Sequence, residues 1–139
     1  MTMQPRLKGF FLYTFPAILW AVAIFAASSI PSEDFPSLGI LSQDKLLHLS
    51  VYLGLGLLLE RAFRHQTVLP LLARSSKLSA ILTAAIYGVS DEFHQSFVPG
   101  RSMDVWDVVA DVLGVGLAMM LLLAHQRYRR RGARPHASR

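Results

Sequence analysis

The chain has 139 residues, of which 53% are apolar, 17% are charged and none is cysteine. Soluble domains carry about 25% charged residues, so this composition, with a mean hydropathy of +0.39, points to lipid as the main solvent. Without cysteine there are no disulfides, thiolate nucleophiles or Cys-based metal sites, and the length allows one domain.

In chain order, Phe10 to Phe25, with flanks reaching Gly9 and Ala27, is nearly all apolar and approaches the ~20 residues that cross the hydrocarbon of a bilayer. The rival reading is a cleaved signal peptide, because Arg6 and Lys8 precede the run and Ala26, Ala27, Ser28 and Ser29 end it. The run exceeds the usual ~7 to 15 residues of a signal core, and Pro16 and Trp20 fit a retained helix. Ser28 to Gln43, with Pro31, Pro36 and Gly39, reads as an exposed loop on the outer side. Lys45 to Glu60, Leu78 to Gln95 and Val105 to Ala124 are expected to be the second, third and fourth spans, each apolar but interrupted by polar residues. Between the second and third, Val68 to Leu72 around Pro70 is expected to lie at the membrane surface, held by basic flanks. Between the third and fourth, Phe97 to Ser102 reads as a tight turn at Pro99 and Gly100, with Ser102 or Asp104 available as a helix cap.

Charge placement gives the orientation. Arg6 and Lys8, then Arg61, Arg64, Arg74 and Lys77, then Arg127, Arg129, Arg130, Arg131, Arg134 and Arg139 account for twelve of the 14 Lys and Arg, and they fall on one side of this layout. Basic residues flank spans on the cytoplasmic side. The acids Glu33, Asp34, Asp44, Asp91, Glu92, Asp104, Asp107 and Asp111 fall on the other side, and only Glu60 joins the basic set. The expected fold is therefore an all-α polytopic membrane protein with four transmembrane helices and both termini cytoplasmic. Residues 1–9 form a cytoplasmic N-terminus, 10–124 the membrane domain and 125–139 a basic tail. A polybasic tail directly after a span contacts anionic lipid more often than nucleic acid, so membrane lipids and not nucleic acid are the expected partners, in the cytoplasmic (inner) membrane.

Ionisable side chains within a bilayer are costly and tend to face partners or a wet cavity. At about 100° per residue, Lys45, His48, Tyr52 and Gly56 share one side of the second span. Ala84, Gly88, Asp91 and Gln95 share a face of the third. Asp104, Asp107, Asp111, Gly114 and Ala118 share a face of the fourth, so three polar faces converge at the outer end. Lys45 and Arg101 are the fixed positive charges there, and an Arg fork holds a carboxylate or a phosphate equally well.

The strings DKLLHLSVY and YGVSDEFHQSFVPGRSMDVWDVVADVLG, in a four-span layout, resemble the VanZ-like family, named after a protein associated with glycopeptide (teicoplanin) resistance. The resemblance covers about residues 10 to 124. Its motifs fall on Asp44, Lys45, His48 and Tyr52, then on Asp91, Glu92 and Gln95, then on Pro99, Gly100, Arg101, Asp104, Asp107 and Gly114. Asn is common in the family where this chain has Asp111, which replaces an amide by a titratable group. The resemblance implies a membrane protein tied to the cell envelope or to antibiotic response, with no settled reaction.

Two functions fit these residues. One is binding of an anionic or polar lipid headgroup, a lipid-linked cell-wall precursor or a lipophilic antibiotic at the outer leaflet, with Lys45 and Arg101 taking the anion while Asp91, Glu92, Asp107 and Asp111 hold the basic residues and orient His48. The other is an enzyme in the same cavity, with His48, Glu92 or Asp91 as acid or base. Asp44, His48, Asp91, Glu92 and Asp107 are ligand types suited to zinc or manganese, but no compact motif fixes them, so neither metal nor other cofactor is expected. Passage of protons or cations is disfavoured because the basic-side halves of the spans are nearly all apolar. His94 is expected at the surface or the membrane interface, and Trp20, Trp106 and Tyr13 as interface anchors or lipid-facing packing.

Overall fold

The computed structural model describes residues 4–31 and 42–132. Most of the outer loop, including Glu33, Asp34, Pro36 and Gly39, and the tail residues Arg134 and Arg139 lie outside the described residues.

The first rod is continuous from residue 5 to 28: α1 (Pro5–Gly9), a π-helical turn (Phe10–Thr14) and α2 (Phe15–Ser28). Pro16 explains the π turn. Proline has no N–H and its ring crowds the carbonyl four residues back, so the turn ahead of it widens and the Phe15 N–H bonds the Phe10 carbonyl. Next come α3 (Ser42–His65), α4 (Pro70–Arg74), α5 (Ser76–Gln95) and α6 (Val105–Gly132). There is no strand among the described residues. The first rod, α3 and α6 are each long and apolar enough to cross a membrane. At about 1.5 Å per residue, the twenty residues of α5 match bilayer thickness, but Lys77 near one end and Asp91 and Glu92 near the other keep it out of that set.

Pairings between side chains give the helix directions. Lys45 meets Asp107, His48 meets Asp111 and Gly56 meets Val115 and Ala118, so α3 and α6 run parallel. Ala21 pairs with Tyr87 and Ser28 with Asp91, so α2 and α5 run parallel to each other. Trp20 meets Val51 and Tyr13 meets His65, which sets α3 antiparallel to the first rod. Small residues make this packing close. A Cβ on Gly114 would stand 2.2 Å from the Leu49 carbonyl oxygen, and one on Gly56 3.0 Å from Val115. Ile24, Tyr52, Leu55, Ala80, Ala84, Val115, Ala118 and Met119 form the core where α2, α3, α5 and α6 meet.

Several expectations change in detail. α6 continues eight residues past Ala124 to Gly132, because nothing in Arg127 to Arg131 breaks a helix. Trp20 is not simply lipid-facing: its indole N–H donates to the Val51 carbonyl at 3.0 Å, tying the first rod to α3. Tyr13 stacks on His65 under the Arg61 guanidinium. His94 stays near the surface, half-buried, where it shares a 2.9 Å hydrogen bond with Ser29 and stacks on Phe25. Glu60 is 2% exposed and accepts from Arg64 and Ser76, so the lone acid among the basic loops closes the other end of the bundle.

Candidate functional site

The site lies where the N-terminal ends of α3 and α6 meet the C-terminal end of α5. The turn into α6 is built from Pro99 and Gly100. Arg101 N–H bonds the Val98 carbonyl at 3.1 Å, and Gly100 has φ 73°, the left-handed value that this turn position demands and glycine supplies freely. Asp104 then caps α6, its Oδ1 accepting the Trp106 N–H at 2.8 Å.

Three polar systems follow. In the first, the Lys45 ammonium donates to Asp104 Oδ2 and to Asp107 Oδ1, both at 2.5 Å. This partner holds the Asp104 carboxyl below the usual carboxylate range. In the second, His48 Nδ1 faces Asp111 Oδ1 at 3.0 Å. A carboxylate only accepts, so against it Nδ1 is the donor, which leaves Nε2 4.0 Å from Asp44 Oδ1. The third is centred on α5. Asp91 Oδ2 accepts from the Ser28 hydroxyl at 2.8 Å and from Gln95 Nε2 at 3.3 Å. Glu92 accepts the Asp104 backbone N–H at 2.8 Å and Gln95 Nε2 at 3.1 Å. Gln95 Oε1 accepts from Arg101 Nη1 at 2.9 Å, and Arg101 Nε donates to the Ile30 carbonyl.

The structure thus brings together all eleven residues that the sequence singled out, with Asp107 holding Lys45 and Asp111 paired with His48 as expected. Lys45 is held by Asp104 and Asp107, not by Asp91 or Glu92. Glu92 is fully buried and braces the turn before α6. Tyr52 is 1% exposed, its ring parallel to that of His48. Between the walls lies a cleft of about 420 Å³, counting the part continuous with solvent, lined on the polar side by Asp44, His48, Tyr52, Asp91, Gln95 and Arg101. Its other lining residues, Ile24, Ala27, Ser28, Leu47 and Val51, are ones that sequence reasoning missed. Ser28 was assigned to the outer loop, yet it ends α2, buried against Asp91; a hydroxyl beside an apolar run carries no pattern that marks it. Three buried polar atoms have no hydrogen-bond partner among the described residues: Tyr52 Oη, Asp91 Oδ1 and Asp111 Oδ2.

A set of ligand atoms from Asp44, His48 and Asp107 lies within 4.8 Å of one another. These residues could hold a divalent cation, in competition with the Lys45 ammonium already on Asp107.

The family comparison fits this geometry. A family profile described as VanZ/LLP1 matches residues 10–126. The chain belongs to the VanZ/LLP1 family. Within this VanZ/LLP1 chain the matched stretch runs from the π turn of the first rod through the apolar part of α6, so it contains every residue of the site. The chain is also similar to an uncharacterized protein of Schizosaccharomyces pombe, 32% identical over 93 residues that cover 66% of this chain and 54% of that protein. The chain thus matches about half the length of this curated relative. No solved structure matches.

Proposed function

We propose that this VanZ/LLP1 membrane protein binds a polar or charged headgroup at the outer leaflet, that of a lipid, a lipid-linked cell-wall precursor or a lipophilic antibiotic, and thereby alters envelope properties or glycopeptide susceptibility. The observation that carries this reading is the cleft beside His48. It has an apolar wall for a chain and a polar wall for a head, and buried polar atoms on that wall lack partners.

In this reading α5 is a crossing, giving four spans with both termini in the cytoplasm and the cleft outside. Support comes from helix direction: α3 and α6 run parallel, so the chain between them has to return across the same thickness, and α5 runs antiparallel to both. Leu78, Leu82, Ile86, Val89 and Phe93 form an exposed apolar stripe along α5, as a lipid-facing side requires.

The test is to purify the full chain in lipid-preserving particles and identify what it retains. A retained amphiphile lost from Asp91→Asn and from His48→Ala supports binding; recovery of only bulk lipid in unchanged proportion contradicts it. The second reading is an enzyme, favoured by the Asp111–His48 pair, which presents an oriented imidazole with Nε2 on the cleft side as a general base does. A product formed from envelope lipids by the wild-type chain and not by His48→Ala would establish it.

A further inference from the structure

The polar wall of the cleft contains two side chains whose needs are not met from within. Asp91 is 3% exposed and Tyr52 1%, and each keeps one polar atom, Oδ1 and Oη, without a hydrogen-bond partner among the described residues. A buried acceptor or hydroxyl is costly to leave unmatched. Asp91 Oδ1 is an acceptor with no donor on it, so it calls for an N–H or O–H. The Tyr52 phenol is free to donate as well. Charge narrows the class further. Asp44 and Asp91 on the wall outweigh Arg101, and Lys45, which would otherwise draw an anion, is already held at 2.5 Å by both Asp104 and Asp107. A purely anionic head would face two carboxylates.

Resting on the headgroup-binding reading above, we infer that the cleft takes a zwitterionic aminoalkyl-phosphate headgroup carrying a primary ammonium. The ammonium donates to Asp91 and Asp44. A phosphate oxygen accepts from the Tyr52 hydroxyl in the positive field of the Arg101 guanidinium, and the acyl chains leave along Ile24, Leu47 and Val51. A primary ammonium has three N–H donors, whereas a quaternary one has the same charge and none. A glycerol head has O–H donors but a net negative charge.

That difference supplies the experiment. The full chain in detergent micelles is titrated with short-chain phosphatidylethanolamine, phosphatidylcholine and phosphatidylglycerol, and with free phosphoethanolamine, and binding is read by native mass spectrometry. The ethanolamine lipid should bind about tenfold or more tighter than the other two, the scale of one charge-assisted hydrogen bond. Asp44→Asn, an exposed position, should weaken it several-fold and the choline lipid, which loses only the charge attraction, by less. Asp91→Asn should do the same, with a thermal melt to verify folding. Equal binding of the ethanolamine and choline lipids, or indifference to both substitutions, overturns the amine assignment and leaves headgroup binding standing. Binding of no lipid at all removes both, and free phosphoethanolamine binding as tightly as the lipid overturns the assignment to a membrane lipid.

Discussion

Lys45 shows how a single side chain changes meaning between a sequence and a fold. As an isolated cation among acids it reads as an anion receptor. In the structure its three N–H donors serve the cap residue Asp104 and the buried Asp107, one turn further into α6, so it staples the start of α3 to the start of α6. Asp104 reports on that staple. Its carboxyl, held below the ordinary value of 3.8 by the Lys45 bond, contributes stability at every pH above the unfolded-state value, and the contribution fades as pH falls through the lower folded-state value. The stability difference between wild type and Asp104→Asn should therefore stay level from neutral pH down to about 5 and shrink below about 4; thermal melts in micelles across that range measure it. A gap that widens on acidification would mean that Asp104 is not held by Lys45. Asp111 acts on His48 through geometry, its Oδ1 meeting Nδ1 at 3.0 Å and so orienting the ring. An Asn at this position would supply the same accepting oxygen without the charge.

At the scale of helices, glycine and alanine decide where the rods touch. Gly114 faces the Leu49 carbonyl so closely that an added Cβ would meet it at 2.2 Å, and backbone cannot step aside as a flexible side chain does. Gly114→Ala should therefore push α6 from α3 and cost about 1–3 kcal/mol, as overpacking does. Gly116→Ala, two residues on and with nothing within 4 Å of its added Cβ, should be neutral or slightly stabilising through helix propensity. Unfolding of both variants in the same micelles checks the contrast, and equal losses would show that the crossing is looser than drawn. A Cβ on Gly88 would stand 2.7 Å from Asp111 Oδ2, so the missing side chain that lets α5 pack closely on α6 also leaves room for the carboxylate that orients His48. Packing and site are one construction here. The sequence placed Gly88, Gly114 and Ala118 on the right faces because helical periodicity is local; it gave no sign that Trp20 reaches the Val51 carbonyl, since a partner 31 residues away in the chain leaves no periodic trace.

For the whole molecule, the four-span reading makes α5 a crossing, and labelling tests it. The chain has no cysteine, so single cysteines report topology without background. Ser102→Cys should react with an impermeant maleimide from outside intact cells, and Ser75→Cys only after permeabilisation; both reacting from the same side would remove the fourth crossing and the outer cleft together. Much of the architecture was legible beforehand. Apolar runs of bilayer length, basic residues on alternate connections and polar residues at helical spacing are properties of short stretches, and they fixed the helices, the family and the eleven residues at the site. The partners of those residues were not legible, because contacts between rods depend on their rotation and depth. Only the folded bundle showed that Lys45 is committed to Asp104 and Asp107, that Glu92 is a buried brace, and that Ser28 belongs to the cleft. Local pattern tells which side of each helix avoids lipid; what each polar group meets there is decided by how the helices pack.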